Sequence, residues 1–301
     1  MNMKNYQDIL FPYAYNILGS AEDARDAIQD VLYNYMSVKK EGIDNEQSYL
    51  IRSVINQSIN IRNKRKKISY GDVWLPEPVA TEGADTNINL KDIVSYSLLV
   101  LLEQLNPRER AVFILKEAFN YSHEEIAEVL SSSVEGSRKL LSRARHKLQS
   151  LQQPVRTSTT TASPTAPPSP TAPPLRKENA PPGILEKYVQ AIRGRDTKAL
   201  ENVLSQDIAY FVDGGPNLPV VKKMANGFDE VARLIAYAYE KFQLRDTIEY
   251  AEINHQPALL YYRDGKLVSC QIFELNAEGD KVVRINTVLD PEKLKNITVR
   301  N

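Results

Sequence analysis

The sequence predicts a multidomain chain: two all-helical domains, the second built around a helix-turn-helix, then an α+β domain with a curved antiparallel sheet. Three observations carry that expectation. Residues 4–150 place apolar side chains at spacings of three and four, the period of helices with one buried face. The run PVRTSTTTASPTAPPSPTAPPLRKENAPP at 154–182 holds about half of the chain's 17 prolines and almost nothing able to build a core. Beyond it, helical spacing gives way to the alternation of strands. The expected division is a helical domain at 1–67, a joint at 68–88, the helix-turn-helix domain at 89–152, a Pro/Thr-rich tether at 153–182 and the α+β domain at 183–301.

The elements follow in order. Residues 4–18, 21–40 and 46–66 read as helices, with Ser20 as an N-cap before the acidic first turn of the second. An irregular stretch, 68–88, contains GDVWLPEP at 71–78 with the one tryptophan of the chain. A rigid segment with two prolines and a large aromatic is expected to dock, because proline lowers the entropy lost on docking. Residues 89–104, 107–119, 122–130 and 134–150 read as four more helices; Pro107 suits a first turn, and Ser122 with Glu125 forms a capping box. After the tether, 183–204 reads as a helix pair or one broken helix, and 229–242 as another helix. Residues 247–254, 258–275 and 281–289 alternate, with an Asp-Gly hairpin turn at 263–266.

Composition excludes several function classes. The chain carries 38 Lys and Arg against 38 Asp and Glu, so net charge names no partner, but the charges are blocked: RNKRKK at 62–67 and RKLLSRARHK at 138–147 are basic, AEDARDAIQD at 21–30 acidic. Cys270 is alone and three histidines are scattered, so neither a disulfide framework nor a metal site is expected, and no cofactor. The N-terminus lacks a signal-peptide pattern, and no apolar run approaches the roughly 18–20 residues of a membrane span. A cytoplasmic protein without membrane contact is the expectation.

The run YSHEEIAEVLSSSVEGSRKLLSRARHKL at 121–148 has the layout of a helix that braces a second, reading helix. Glu135, Ser137, Arg138, Lys139, Ser142, Arg143 and His146 are expected on or beside its open face, where cations fork onto guanine edges and phosphates and hydroxyls serve either. Ser122 can donate to a phosphate at a helix start. The plain alternative is an amphipathic hairpin with a solvated basic face. A second basic surface follows SYLIRSVINQSINIRNKRKK at 48–67, with Arg52, Asn56, Gln57, Asn60, Arg62, Lys64 and Arg65 on its polar side; amides plus cations suit bases and backbone together. Asp23, Asp26, Gln29 and Asp30 would be repelled by phosphate and are expected to face a protein, or simply water.

These residues resemble a known family. AEDARDAIQDVLYNYM, SYLIRSVINQSINIRNKRKK and LNPRERAVFILKEAFNYSHEEIAEVLSSSVEGSRKLLSRARHKL look like the two helical domains of bacterial extracytoplasmic-function (ECF) sigma factors, the dissociable promoter-recognition subunits of RNA polymerase. WLPEP at 74–78, DGG at 213–215 and DPEKL at 290–294 resemble the motifs of a subgroup with a SnoaL-like C-terminal extension. The resemblance implies that Asp26, Gln29 and Asp30 face core RNA polymerase. It implies that Asn56 and its helix, with the loop at 39–47, engage the melted −10 strand of promoter DNA. Ser137, Arg138, Ser142 and Arg143 would read the −35 element. Trp74, Pro76, Asp213, Gly214, Asp290, Pro291 and Leu294 would form an intramolecular regulatory contact. The chain departs from the subgroup in its long tether and in DGGPNLP, where the subgroup favours a third glycine and a lysine; Pro216 has no N–H to offer a ligand.

A SnoaL-like domain implies a cone whose sheet encloses a pocket, with room for a small ligand. Relatives include enzymes, and Asp213 with His255 can be cast as acid and base. A turn-capping Asp and a loop His are the plain readings, so the extension is read as regulatory rather than catalytic. Two other functions stay open at this point: a SnoaL-type enzyme fused to a DNA-binding region, and a helix-turn-helix regulator that acts without core polymerase.

Overall fold

The computed structural model describes residues 3–37, 43–65, 74–81, 90–152, 182–216, 218 and 224–297. Most of the tether at 153–182, part of the loop at 39–47 and residues 71–73 lie outside them. The described residues form two compact units. One takes the chain up to Leu18, Asp23–Lys64 and the chain from Leu98 to the tether. The other takes Gly19–Glu22, Arg65–Ser97 and the chain from Lys177.

The first unit is all helical. α1 (Met3–Leu18) packs on α3 (Glu46–Lys64) through Leu10, Ala14, Ile17, Leu50, Val54 and Ile55, all essentially buried. Glu46, at the start of α3, accepts the hydroxyls of Tyr6 from α1 and Tyr35 from α2 (Ala21–Ser37), each at 2.5 Å, and this bond pushes the Tyr35 phenol up to about 12. Three helices are thereby pinned at one point. The region from α4 (Tyr96–Leu102) through α5 (Pro107–Glu117), α6 (His123–Val129) and α7 (Val134–Gln152) follows. The expected capping box at Ser122 and Glu125 is present, and a second one closes on Asn106 and Glu109 ahead of Pro107. Tyr13 of α1 stacks on Phe119 just past α5, with centroids 4.0 Å apart.

Arg110 of α5 is fully buried. It donates to the Asn16 carbonyl at 2.8 Å and pairs with Glu103, which also receives Arg62 at 2.8 Å. Burial alone would push the Glu103 carboxyl up, but Arg110 and Arg62 outweigh it and hold it below the usual range. The network joins α1, α3 and α5 inside one core.

The second unit contains a six-stranded sheet in the order β2-β1-β6-β5-β4-β3. Its strands are β1 (Leu204–Asp213), β2 (Ala225–Asn226), β3 (Thr247–Ile253), β4 (Gln256–Arg263), β5 (Lys266–Leu275) and β6 (Val282–Val288). α8 (Pro182–Gly194), α9 (Thr197–Val203) and α10 (Phe228–Ala238) share a core with one side of it, through Leu185, Tyr188, Leu200, Val231, Ile235, Tyr210, Leu259, Tyr261, Phe273 and Ile285. The meander and the hairpin at Asp264 and Gly265, both at positive φ, are as the alternation predicts. The sheet is mixed rather than wholly antiparallel, because β1 runs parallel to β6. The long connection through α10 and three strands makes that direction accessible. β1 escapes a sequence reading because Ser205, Gln206 and Asp207 interrupt its alternation.

The expected helix at 89–104 is broken into a 3-10 turn at Leu90–Asp92 and α4. Ile93 and Val94, between the two pieces, are both buried.

Candidate nucleic-acid interface and linker lock

On α7, the buried stripe Leu141, Ala144 and Leu148 turns Arg138, Lys139, Ser142, Arg143 and His146 outward. Arg138 lies 3.8 Å from Glu124, and Lys139 pairs with Glu135 at 2.6 Å; both pairs are exposed, worth little, and free to exchange for phosphate. An open pocket of about 400 Å³ runs beside this face, lined by His123, Arg138, Leu141, Ser142, Arg145 and His146. Burial, then Lys116 and Arg138, hold the His123 imidazole below its usual pKa. Ser137 corrects its expected placement. Its side chain is fully buried and its hydroxyl lies 2.8 Å from His123 Nδ1, so it joins α7 to α6 and does not face outward. Ser122 holds its helix start by accepting from the Glu125 N–H at 3.1 Å.

On α3, Asn60 and Lys64 are exposed. Arg62 is not on the open face expected of it: its side chain is 9% exposed, donates to the Leu18 carbonyl and pairs with Glu103. An apolar-periodicity argument has no means of seeing that carboxylate. Arg65 lies over the Trp74 ring at 5.5 Å. Asn56 donates to the Val129 carbonyl at 3.0 Å, and Arg52 to the Ser131 hydroxyl at 3.0 Å. The amide face of α3 therefore rests on α6 and the turn that follows it. On α2, Asp26, Gln29 and Asp30 are exposed, and Tyr33 and Met36 extend the same stripe at 70% and 59% exposure. An open face that mixes carboxylates with large apolar groups fits a protein partner better than water alone.

The second unit brings the three short motifs together. Asp213, at the end of β1, accepts the Leu75 N–H at 2.7 Å and the Lys293 ammonium at 2.7 Å through one carboxylate oxygen, and the Gly215 N–H at 2.9 Å through the other. Lys293 also donates to the Leu75 carbonyl at 2.6 Å and stands 4.3 Å from the centre of the Trp74 ring. Asp213 and Lys293 are 4% and 8% exposed. A buried ion pair of this kind holds only where its remaining hydrogen-bonding capacity is met, and here the linker backbone meets it. Asp290 caps α11 (Pro291–Leu294) by accepting the Glu292 N–H at 3.0 Å, with Pro291 in the first turn and Leu294 in the core. Gly215 sits at φ 66°, and a Cβ there would lie 2.4 Å from the Asp290 carboxylate. Gly214 is buried in the same turn.

The linker is held further along. Pro76 is buried and its carbonyl accepts the Tyr96 hydroxyl at 2.7 Å. Val79 exchanges two hydrogen bonds with Asn254, and Ala80 forms a bridge to Ile253. His255 takes Thr81 Oγ1 on its backbone N–H and the Leu90 carbonyl on Nε2, at 2.9 Å each. Asp213 and His255, cast as acid and base by the sequence, thus both bind linker. Lys293, Glu77 and Asn254 were missed as site residues; Lys293 and Glu77 had a signal, since they stand inside DPEKL and WLPEP, and Asn254 had none.

Comparison with known proteins agrees with this geometry. A family model described as Sigma-70, region 4 matches residues 95–148. The ECF RNA polymerase sigma factor SigJ of Mycobacterium tuberculosis is 27% identical over 240 residues, covering 77% of this chain and 70% of that one. The probable ECF sigma factor SigI of the same organism is 23% identical over 292 residues, covering 95% and 91%. The crystal structure of SigJ shares the fold, with a TM-score of 0.72 at 20% identity over 99% of this chain and 98% of that one. Among the described residues no helix is long and apolar enough to cross a membrane. The helix-turn-helix with its cationic open face therefore lies in a segment that matches Sigma-70 region 4, and the chain as a whole is similar in sequence and in fold to ECF RNA polymerase sigma factors.

Proposed function

We propose that the SnoaL-like domain regulates promoter recognition by holding or releasing the linker between the two sigma-type regions, and performs no catalysis. The observation that carries this reading is the Asp213–Lys293 pair closed on both backbone groups of Leu75. A domain built for turnover would leave such a pair open to a substrate; this one spends it on the chain's own backbone.

In the same reading Asp26, Gln29 and Asp30 face core polymerase. Arg138, Lys139, Ser142 and Arg143 contact the −35 element, with Ser122 on a phosphate. Asn56, Asn60, Lys64 and Arg65 meet the −10 strand. Asn56 and Arg52 are engaged by α6 and its turn here, so −10 binding requires those bonds to be exchanged for DNA. The protein acts in the cytoplasm, where its polymerase is.

The test is transcription in vitro with purified core enzyme on a promoter library. Three chains are compared: full length, truncated before residue 184, and full length with Lys293→Met. Both altered chains should change promoter output in the same direction. Identical output from all three would end the regulatory reading. Turnover of a keto compound, lost with Asp213→Ala, would favour an enzyme instead.

A further inference from the structure

We propose that Glu77 of the linker is a positioning residue for the polymerase-facing helix: it supplies the N-terminal cap of α2 from the linker. The inference rests on the regulatory reading above and names the route by which the extension's state reaches α2. The first amides of any helix have no intrahelical acceptor. In α2, the Ala21 N–H donates to Glu77 Oε2 at 2.8 Å and the Glu22 N–H to the same oxygen at 3.1 Å. Ser20, the residue placed to cap locally, donates its hydroxyl to Glu77 Oε1 at 2.6 Å. The Glu77 N–H in turn donates to the Gly19 carbonyl at 2.9 Å. The linker residue thus accepts from the first amides of α2 and donates to the carbonyl just before them, across more than fifty residues of sequence. Glu77 is 7% exposed, and a buried carboxylate needs compensation; the positive end of α2 provides it.

The same five-residue segment is clamped at its other end. Leu75 is held by Asp213 and Lys293, and Pro76 stands between the two grips, fixing φ and buried against Tyr96. All of these contacts lie within the second compact unit, which includes Gly19–Glu22. A stiff strap with one end on the extension and the other on the first turn of α2 ties the two together. Asp26, the first of the residues read as facing core polymerase, is one turn further along α2 from Glu22.

The test is amide hydrogen exchange on the full-length chain, with core polymerase affinity measured in parallel. Glu77→Ala should raise exchange at Ala21 and Glu22 by about 5- to 30-fold, the factor that corresponds to losing a cap of roughly 1–2 kcal/mol. Asp213→Ala, or Lys293→Met should the first not fold, should raise exchange at the same two amides from the far end of the strap. Ser20→Asp in the Glu77→Ala background should restore protection and affinity, because it supplies a local carboxylate. In the otherwise unchanged chain Ser20→Asp should lower both by setting two carboxylates together. That reversal of sign is not what loss of a merely structural contact gives. If Lys293→Met releases the linker, as read from Trp74 emission, and exchange at Ala21 and Glu22 stays at the parent level, the strap is overturned. Altered exchange with unaltered transcription would sink the regulatory reading and leave the strap standing.

Discussion

Replacing Lys293 with methionine tests the linker lock most directly. Methionine keeps the apolar stem that packs in α11 and removes the ammonium. Asp213 is then a buried carboxylate that has lost a partner at 2.7 Å but keeps the N–H groups of Leu75 and Gly215. Breaking a buried pair from one side costs about 3–5 kcal/mol, and the two surviving donors place this case at the lower end, about 3. Losing the ammonium over Trp74 adds roughly 0.5–1 kcal/mol. Trp74 is the single tryptophan of the chain, so its emission reports the docked linker without interference. Urea titration followed at Trp74 should show the midpoint lowered by the equivalent of about 3.5–4 kcal/mol. Asp213→Asn combined with Lys293→Met should recover more than 1 kcal/mol of that loss, since no unpaired charge remains. A Lys293→Met transition within about 0.5 kcal/mol of the parent's would refute the claim that this pair holds the linker.

Other consequences can be checked separately. Arg138→Ala should weaken −35 binding by about 1–3 kcal/mol in gel-shift or transcription assays with holoenzyme. Ser137→Ala should instead lower helix-turn-helix stability by roughly 1–2 kcal/mol through the unpaired His123 and leave the −35 preference unchanged. Asp26→Lys should reduce association with core polymerase in a pull-down titration, and full retention would remove α2 from that interface. Glu103 is held below its unfolded pKa, so its contribution is present at neutral pH and lost as pH falls through the carboxylate range. Circular dichroism melts from pH 7 to 3 should show a smaller acid loss for Glu103→Gln than for the parent. Burial pushes the Cys270 thiol up and leaves it no exposed surface, so alkylation should occur only as the sheet opens and should follow its unfolding rate.

Much of the fold is legible in the sequence because its signals are local. The spacing of Leu10, Ala14 and Ile17, the capping box at Ser122 and Glu125 and the hairpin at Asp264 and Gly265 each depend on neighbours within a turn or two. What escaped depends on partners far along the chain. β1 owes its place to β6, more than seventy residues on, and its own polar start hides the alternation. The break before α4 falls at Ile93 and Val94, both buried. Nothing in the apolar spacing of residues 89–104 announces that break.

The site divides along the same line, and the division says what the short motifs are. The outward placement of Arg138, Lys139, Ser142 and Arg143 was readable because they fall opposite a buried stripe. Ser137 was misplaced because one residue of helix rotation carries a hydroxyl from the open side to the core. WLPEP, DGG and DPEKL could be noticed as strings but not explained, since none is a unit of secondary structure that needs those residues. In the fold each residue has a reason: Gly215 because a Cβ would strike Asp290, Asp290 because it caps α11, Lys293 because Leu75 and Asp213 both need a donor. Glu77 answers unmet amides of α2. The motifs are thus two halves of one contact, and their chemistry is mostly backbone recognition. A change in one half alone should therefore behave as loss of the whole contact, whereas Leu75, recognised through its N–H and carbonyl, should tolerate another apolar side chain.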